Sequence, residues 1–297
     1  MRLVRYRSAR DDSEWVGLVT DDLVTPIAPG GGRAGQDALV AAAMGRPAIP
    51  EAVGEPEPVD RARLLAPIPE PPAIRDFYAF EAHVASARRS RGLEMEPDWY
   101  ELPVFYFSNP AGVLGPDDEV RAPTATSELD YELEVAAVIG RSCADVAADR
   151  WLDVVAGFTV MDDWSARDLQ RREMALNLGP AKGKDFGTSL GPALVTPEEL
   201  LDAAGVPRGA MVARVNGEEW SRGELGDLHH PWGTLIAHAS RDTTLRPGDV
   251  IGSGTVGTGC ILELGLAHGR DRYPYLVSGD EVELEVEGIG VLRNRIA

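Results

Sequence analysis

The run Leu129-Asp-Tyr-Glu-Leu-Glu-Val-Ala-Ala-Val-Ile139 constrains the fold of this 297-residue chain more than any other segment. Extended backbone sends alternate side chains to opposite faces, so Glu132 and Glu134 project from one side of a strand. The residues between and after them, Leu133, Val135, Ala136, Ala137, Val138 and Ile139, are apolar, which puts that strand in a core. Two carboxylates entering a core repel each other and resist desolvation. A divalent cation removes the conflict, whereas a solvated sheet face is the plainer reading of such a pair. A second apolar strand, Ala156 to Met161, runs into another acidic pair, Asp162 and Asp163, just ahead of a helix that spans about Ser165 to Leu176. On its own, Asp163 could equally cap that helix.

Composition excludes several functions. The net charge of −19 argues against nucleic acid or an anionic membrane as partner. No apolar run is long enough to span a bilayer or to form a secretory leader at Met1-Arg-Leu-Val-Arg-Tyr-Arg7, so a cytoplasmic location is expected. The two cysteines, Cys143 and Cys260, lie far apart with no Cys-x-x-Cys spacing, which speaks against a disulfide framework or a zinc cluster.

Residues 1–67 read as a small β-rich unit, with strands at Leu3 to Tyr6 and Trp15 to Val19, a break at Gly30-Gly31-Gly32 and a short helix from Asp37 to Met44. A proline-rich stretch over 54–72 forms an extended connection, and the boundary is expected inside it. Beyond it come a helix from Phe80 to Arg91, a loop from Gly179 to Gly187, a hairpin through Asn216-Gly217 and a helix from Trp232 to Ser240. Glu263 sits in the apolar run Ile-Leu-Glu-Leu-Gly-Leu, read as a strand in which a carboxylate must be buried and partnered. The mixture predicts an α+β fold, mainly β.

These segments together resemble the fumarylacetoacetate hydrolase family, from about Ile74 to the C-terminus. The blocks are Asp76-Phe-Tyr-x4-His83, Asp98-Trp-x2-Leu-Pro-Val-x-Tyr106, Leu129 to Glu134, Asp163-Trp-Ser-Ala-Arg-Asp-x-Gln170 and Gly183-Lys-x-Phe-Gly-Thr188. Pro247-Gly-Asp249, Gly252-Ser-Gly-Thr255 and Leu262-Glu-Leu264 follow in order. The first two blocks and the last look closer to fumarylacetoacetases than to acylpyruvases and decarboxylases. With the N-terminal unit taken as residues 1–67, the resemblance implies that 68–297 form a catalytic domain with a mixed β-sandwich or β-roll core. It also implies a homodimer.

The same resemblance places the metal on Asp76, Glu132, Glu134 and Asp163. All-oxygen ligation suits one Mg²⁺, Mn²⁺ or Ca²⁺ per subunit and gives zinc no advantage. Lys184 and Arg167 match cations beside the cluster, His83 matches a general base and Glu263 the carboxylate that orients it. Tyr78, Tyr106, Gln170 and Thr255 match substrate-contacting positions. The chain departs from the pattern in carrying Met174 where relatives place a tyrosine, one extra residue before Lys184, and Arg91 one position from the family's loop arginine. The activity implied is hydrolysis of a carbon–carbon bond in a 1,3-diketone or acylpyruvate, with water activated by His83. Two alternatives stand beside it. One is a decarboxylase, isomerase or hydratase acting on an oxaloacetate- or hydroxymuconate-type 2-oxo acid. The other is a catalytically silent binding protein.

Overall fold

Strict alternation along Leu133–Ile139 organises the molecule, which a computed structural model describes over residues 1–297. Val135, Ala137 and Ile139 enter one apolar cluster, while Ala136 and Val138 enter another, so both faces of this strand are buried. It lies within a large mixed sheet. Outward on one side come Val155–Asp163, Thr188–Val195 and then Arg2–Arg7, Glu14–Thr20 and Leu23–Pro29. On the other side come Val250–Gly252, Ile74–Phe77 and Phe105–Ser108.

One face of this sheet packs against a five-stranded sheet that contains the expected Asn216-Gly217 hairpin, Ala210–Val215 with Glu218–Glu224. Met211, Ala213, Leu284 and Leu292 from that sheet meet Val135, Phe158, Val160 and Val195 in a sandwich core. The opposite face is covered by helix α1, Gly32–Met44, through Leu39, Val40 and Ala43. The family-type α+β, mainly β fold is therefore present.

Residues 1–67 contribute strands whose first member, Arg2–Arg7, hydrogen-bonds along Thr188–Val195, so they continue the large sheet. Helix α1 begins at Gly32, earlier than the expected Asp37, and the glycines read as a break belong to its start. A side chain on Gly35 would put its Cβ 2.0 Å from the carbonyl oxygen of Gly30, so the tight entry into α1 requires a residue without one. Helix α2 spans Glu81–Arg89, α3 spans Arg167–Met174 and α4 spans Trp232–Ser240. Glu263 lies in helix α5, Ile261–His268, which corrects the strand expectation. A six-residue apolar run fits either periodicity, and here a distant carboxylate decides the outcome, as shown below.

Candidate active site

Strand register assembles the centre. Asp76 shares a sheet face with Ile74, Glu134 with Ala136 and Val138, and Asp163 with Met161, the face that α1 covers. Asp162 points the other way, because successive strand residues alternate faces. That alternation selects Asp163 over its neighbour. Gly252 stands between the strands carrying Asp76 and Glu134, paired with Asp76 and with Ala136. A Cβ there would lie 2.4 Å from Asp76 Oδ1, so only hydrogen fits beside that carboxylate.

Oxygen atoms of Asp76, Glu132, Glu134 and Asp163 all lie within 4.8 Å of one another, and all four residues are buried. Glu132 sits just ahead of the regular strand, bridged to the backbone of Cys260, and its own N–H donates to Asp162 Oδ1 at 2.9 Å. Lys184 Nζ donates to Glu132 Oε2 at 2.6 Å and to Asp163 Oδ2 at 2.5 Å. Arg167 Nη2 lies 2.8 Å from Glu132 Oε1, an ion-pair contact without hydrogen-bond alignment. Lys184 and Arg167 thus face four carboxylates, and Arg167 is shared with Asp130, so the cluster keeps negative charge that a divalent ion would offset.

The electrostatics agree. Burial, then the neighbouring Asp163, pushes the Asp76 carboxyl well above its usual range, and burial and Asp76 do the same to Glu134. Burial acts on Glu132 in the same direction, but Lys184 and Arg167 outweigh it and hold its carboxyl below the usual range. Glu134 Oε2 and Asp163 Oδ1 are buried without any hydrogen-bond partner. Unpartnered buried oxygens in an all-oxygen set are what a hard dication satisfies, so the residues fit Mg²⁺-type chemistry.

A second pair stands beside the cluster. His83 Nδ1 lies 2.9 Å from Glu263 Oε2, and the two residues are 5% and 4% exposed. Tyr78 packs edge-on to the imidazole at 5.4 Å between centroids, its hydroxyl pushed up to about 12 by burial. The family model described as fumarylacetoacetate hydrolase C-terminal matches residues 73–297, which includes every residue named in this centre. The chain belongs to the fumarylacetoacetate hydrolase family.

Members of this family are enzymes that bind a divalent metal, and the buried acidic cluster here could hold one. An oxaloacetate tautomerase of Bacillus subtilis is 32% identical over 241 residues, covering 80% of this chain and 74% of the relative. The solved 5-carboxymethyl-2-hydroxymuconate delta-isomerase of Mycobacterium smegmatis is 30% identical with a TM-score of 0.73, covering 100% of this chain and 99% of that one. A fumarylacetoacetate hydrolase of Exiguobacterium antarcticum matches with a TM-score of 0.77 at 27% identity, covering 100% and 99%. Against mammalian mitochondrial relatives named oxaloacetate tautomerases, the chain spans only 58–59% of their length.

The remaining family-matched residues surround the cluster. Tyr106 OH donates to Asp163 Oδ2 at 2.7 Å and Thr255 Oγ1 to Glu134 Oε1 at 3.2 Å. Gln170 Oε1 accepts from Arg167 Nη1 at 3.1 Å. A cavity of about 330 Å³ reaches Tyr106 and Lys184, with walls from Phe107, Asn109, Pro180 and Asp185. None of the four carboxylates nor His83 lines it, so it approaches the centre from the lysine side. Met174 is 41% exposed at the end of α3.

Asp130 is the residue that motif reading passed over. Fully buried, it accepts from Arg167 Nε at 2.7 Å and from the N–H groups of Ile261 and Leu262 at 2.7 and 2.9 Å. Those amides open α5, so Asp130 satisfies the free donors of the helix that carries Glu263. Its signal in the sequence was its place in the same apolar run as Glu132 and Glu134, where an unpartnered acid is as costly as theirs.

Proposed function

We propose that this chain is a metal-dependent isomerase of 2-oxo acids, catalysing keto–enol tautomerisation of oxaloacetate or proton migration in a hydroxymuconate-type substrate. The observation that carries the reading is the 2.9 Å His83–Glu263 pair beside a buried four-carboxylate cluster. The likeness to an oxaloacetate tautomerase and to a delta-isomerase supports this chemistry over carbon–carbon cleavage.

A cation held by Asp76, Glu132, Glu134 and Asp163 would chelate the substrate's carboxylate and polarise its oxo group. His83 would take a proton from the carbon beside that group and return it to the oxo oxygen, or run the exchange in reverse, with no net proton consumed. Glu263 would keep the Nδ1 hydrogen in place, leaving Nε2 as the accepting atom, and offset the imidazolium charge. Lys184 and Gln170 would stabilise negative charge on the oxo oxygen, and Arg167 would orient Gln170. Tyr78, Tyr106 and Thr255 would contact the substrate.

Hydrolysis of a 1,3-diketone or acylpyruvate is the second reading. The same dyad could deprotonate water, and the structural likeness to a fumarylacetoacetate hydrolase favours it. Parallel assays separate the two. With Mg²⁺ or Mn²⁺, enol decay of oxaloacetate and deuterium exchange at its methylene carbon should accelerate, while acylpyruvates release little pyruvate. Rapid cleavage of an acylpyruvate without accelerated exchange would sink the isomerase reading.

A further inference from the structure

Cys260 lies against the His–Glu pair and has no place in the proton transfer just described. Its sulfur is 3.7 Å from Glu263 Oε2, the oxygen that meets His83 Nδ1 at 2.9 Å. Ligand atoms of His83, Cys260 and Glu263 all lie within 4.8 Å of one another, and all three residues are buried. This set offers nitrogen, sulfur and oxygen, whereas the neighbouring cluster offers oxygen alone. Zinc bonded to nitrogen and oxygen at ~2.0–2.2 Å and to sulfur at ~2.3 Å holds tetrahedral ligand atoms ~3.3–3.6 Å apart. The edges of 2.9 and 3.7 Å are within a few tenths of an ångström of that spacing.

We propose that His83, Cys260 and Glu263 form a second metal site selective for zinc-type ions, and that its occupation inhibits the enzyme. Three protein ligands leave one position for water. A bound ion takes Nδ1, whose hydrogen moves to Nε2 of the still neutral ring, and displaces the thiol proton to solvent, so binding releases one proton and needs no other reactant. Soft thiolate ligation favours Zn²⁺ and Co²⁺ over Mg²⁺ and Mn²⁺. Inhibition follows because Nε2 of the metal-bound ring carries the hydrogen and has no lone pair left to accept a proton; that consequence rests on the function proposed for His83, but the binding does not.

The test uses full-length protein with the oxygen cluster saturated by Mg²⁺. Cobalt is added and the near-ultraviolet thiolate-to-cobalt absorption is recorded for wild type, Cys260→Ser and Cys260→Ala. A stoichiometric band in wild type that is lost in both variants is the expected result. Zinc affinity by calorimetry should fall in the variants by more than the ~10–100-fold that a change outside the ligand shell costs. Zinc should inhibit wild type without competing with Mg²⁺ and should spare the active Cys260→Ser enzyme. No thiolate band in wild type, or equal zinc inhibition in Cys260→Ser, overturns the proposal. If no oxo acid proves to be a substrate, the absorption and calorimetry still decide whether the site exists.

Discussion

Arg167 Nε donates to Asp130 Oδ2 at 2.7 Å, with their side chains 4% and 0% exposed. Because Arg167 also reaches Glu132 and Asp130 also anchors α5, this one buried pair fixes the carboxylate cluster relative to the His–Glu dyad. Burial pushes the Asp130 carboxyl up, against the pull of Arg167, so the charge pair is held at a desolvation cost.

Removing one partner should be expensive. Asp130→Ala strands the guanidinium and two helix amides, and should lower the unfolding free energy by about 3–5 kcal/mol. Asp130→Asn, which keeps the shape, should cost about 1–3 kcal/mol. Urea denaturation measures both. A loss in Asp130→Ala within about 0.5 kcal/mol, the range of ordinary surface changes, contradicts the structural role.

Glu132→Gln takes one anionic ligand from the cluster and leaves Lys184 partly unpaired. Divalent-ion affinity should drop by ~100-fold or more, beyond what changes outside the ligand shell produce. Calorimetry with Mg²⁺ and Mn²⁺ reads the change directly. Unaltered affinity would remove Glu132 from the ligand set.

His83→Ala should lower turnover by ~10²–10⁴-fold, the usual value of a positioned base, while metal affinity stays near wild type. Glu263→Gln should give a milder loss, since the imidazole keeps a hydrogen-bond partner but loses the charge behind it. Single-turnover kinetics with saturating Mg²⁺ check this. Wild-type turnover in His83→Ala assigns the proton transfer elsewhere.

Stripping the metal should abolish turnover and also change how stability depends on pH. In the metal-free centre burial and mutual repulsion raise the carboxyls of Asp76, Glu134 and Asp163. A carboxyl raised on folding is neutral at no cost below the unfolded range, about pH 4, and loses stability as pH climbs above it. Metal-free protein should therefore lose Tm from about pH 5 to pH 8, and the stabilisation by Mg²⁺ should grow over the same range. Calorimetric melts with EDTA and with Mg²⁺ test the sign. A Mg²⁺ effect that shrinks with rising pH would reverse the electrostatic account.

The legible parts of the centre were those written in local periodicity. Alternation along 129–139 put Glu132 and Glu134 together, and the acidic pair ending an apolar strand marked Asp162 and Asp163, between which the family resemblance chose Asp163. The Asn216-Gly217 turn fixed its hairpin because both residues take positive φ, 52° and 80°. What failed depended on partners far along the chain. Ile261–His268 is helical in part because Asp130, 131 and 132 residues earlier, accepts its first amides. The glycines at 30–32 looked like a break because the close approach of Gly35 to Gly30 is visible only in three dimensions. The nearness of Cys260 to His83 left no mark in local spacing, because His83 lies in another helix.

Three of the four carboxylates hang from strands of one hydrogen-bonded lattice, so the backbone ladder acts as their ruler. A slip of one residue in Val155–Asp163 would turn Asp163 to the far face and present Asp162 or Trp164 in its place. Only the native alignment of Ile74–Phe77, Leu133–Ile139 and Val155–Asp163 reproduces the oxygen cage. An ion held by this cage would therefore act as a proofreader of folding, because misaligned chains would forfeit it and only correctly paired sheets would bind it.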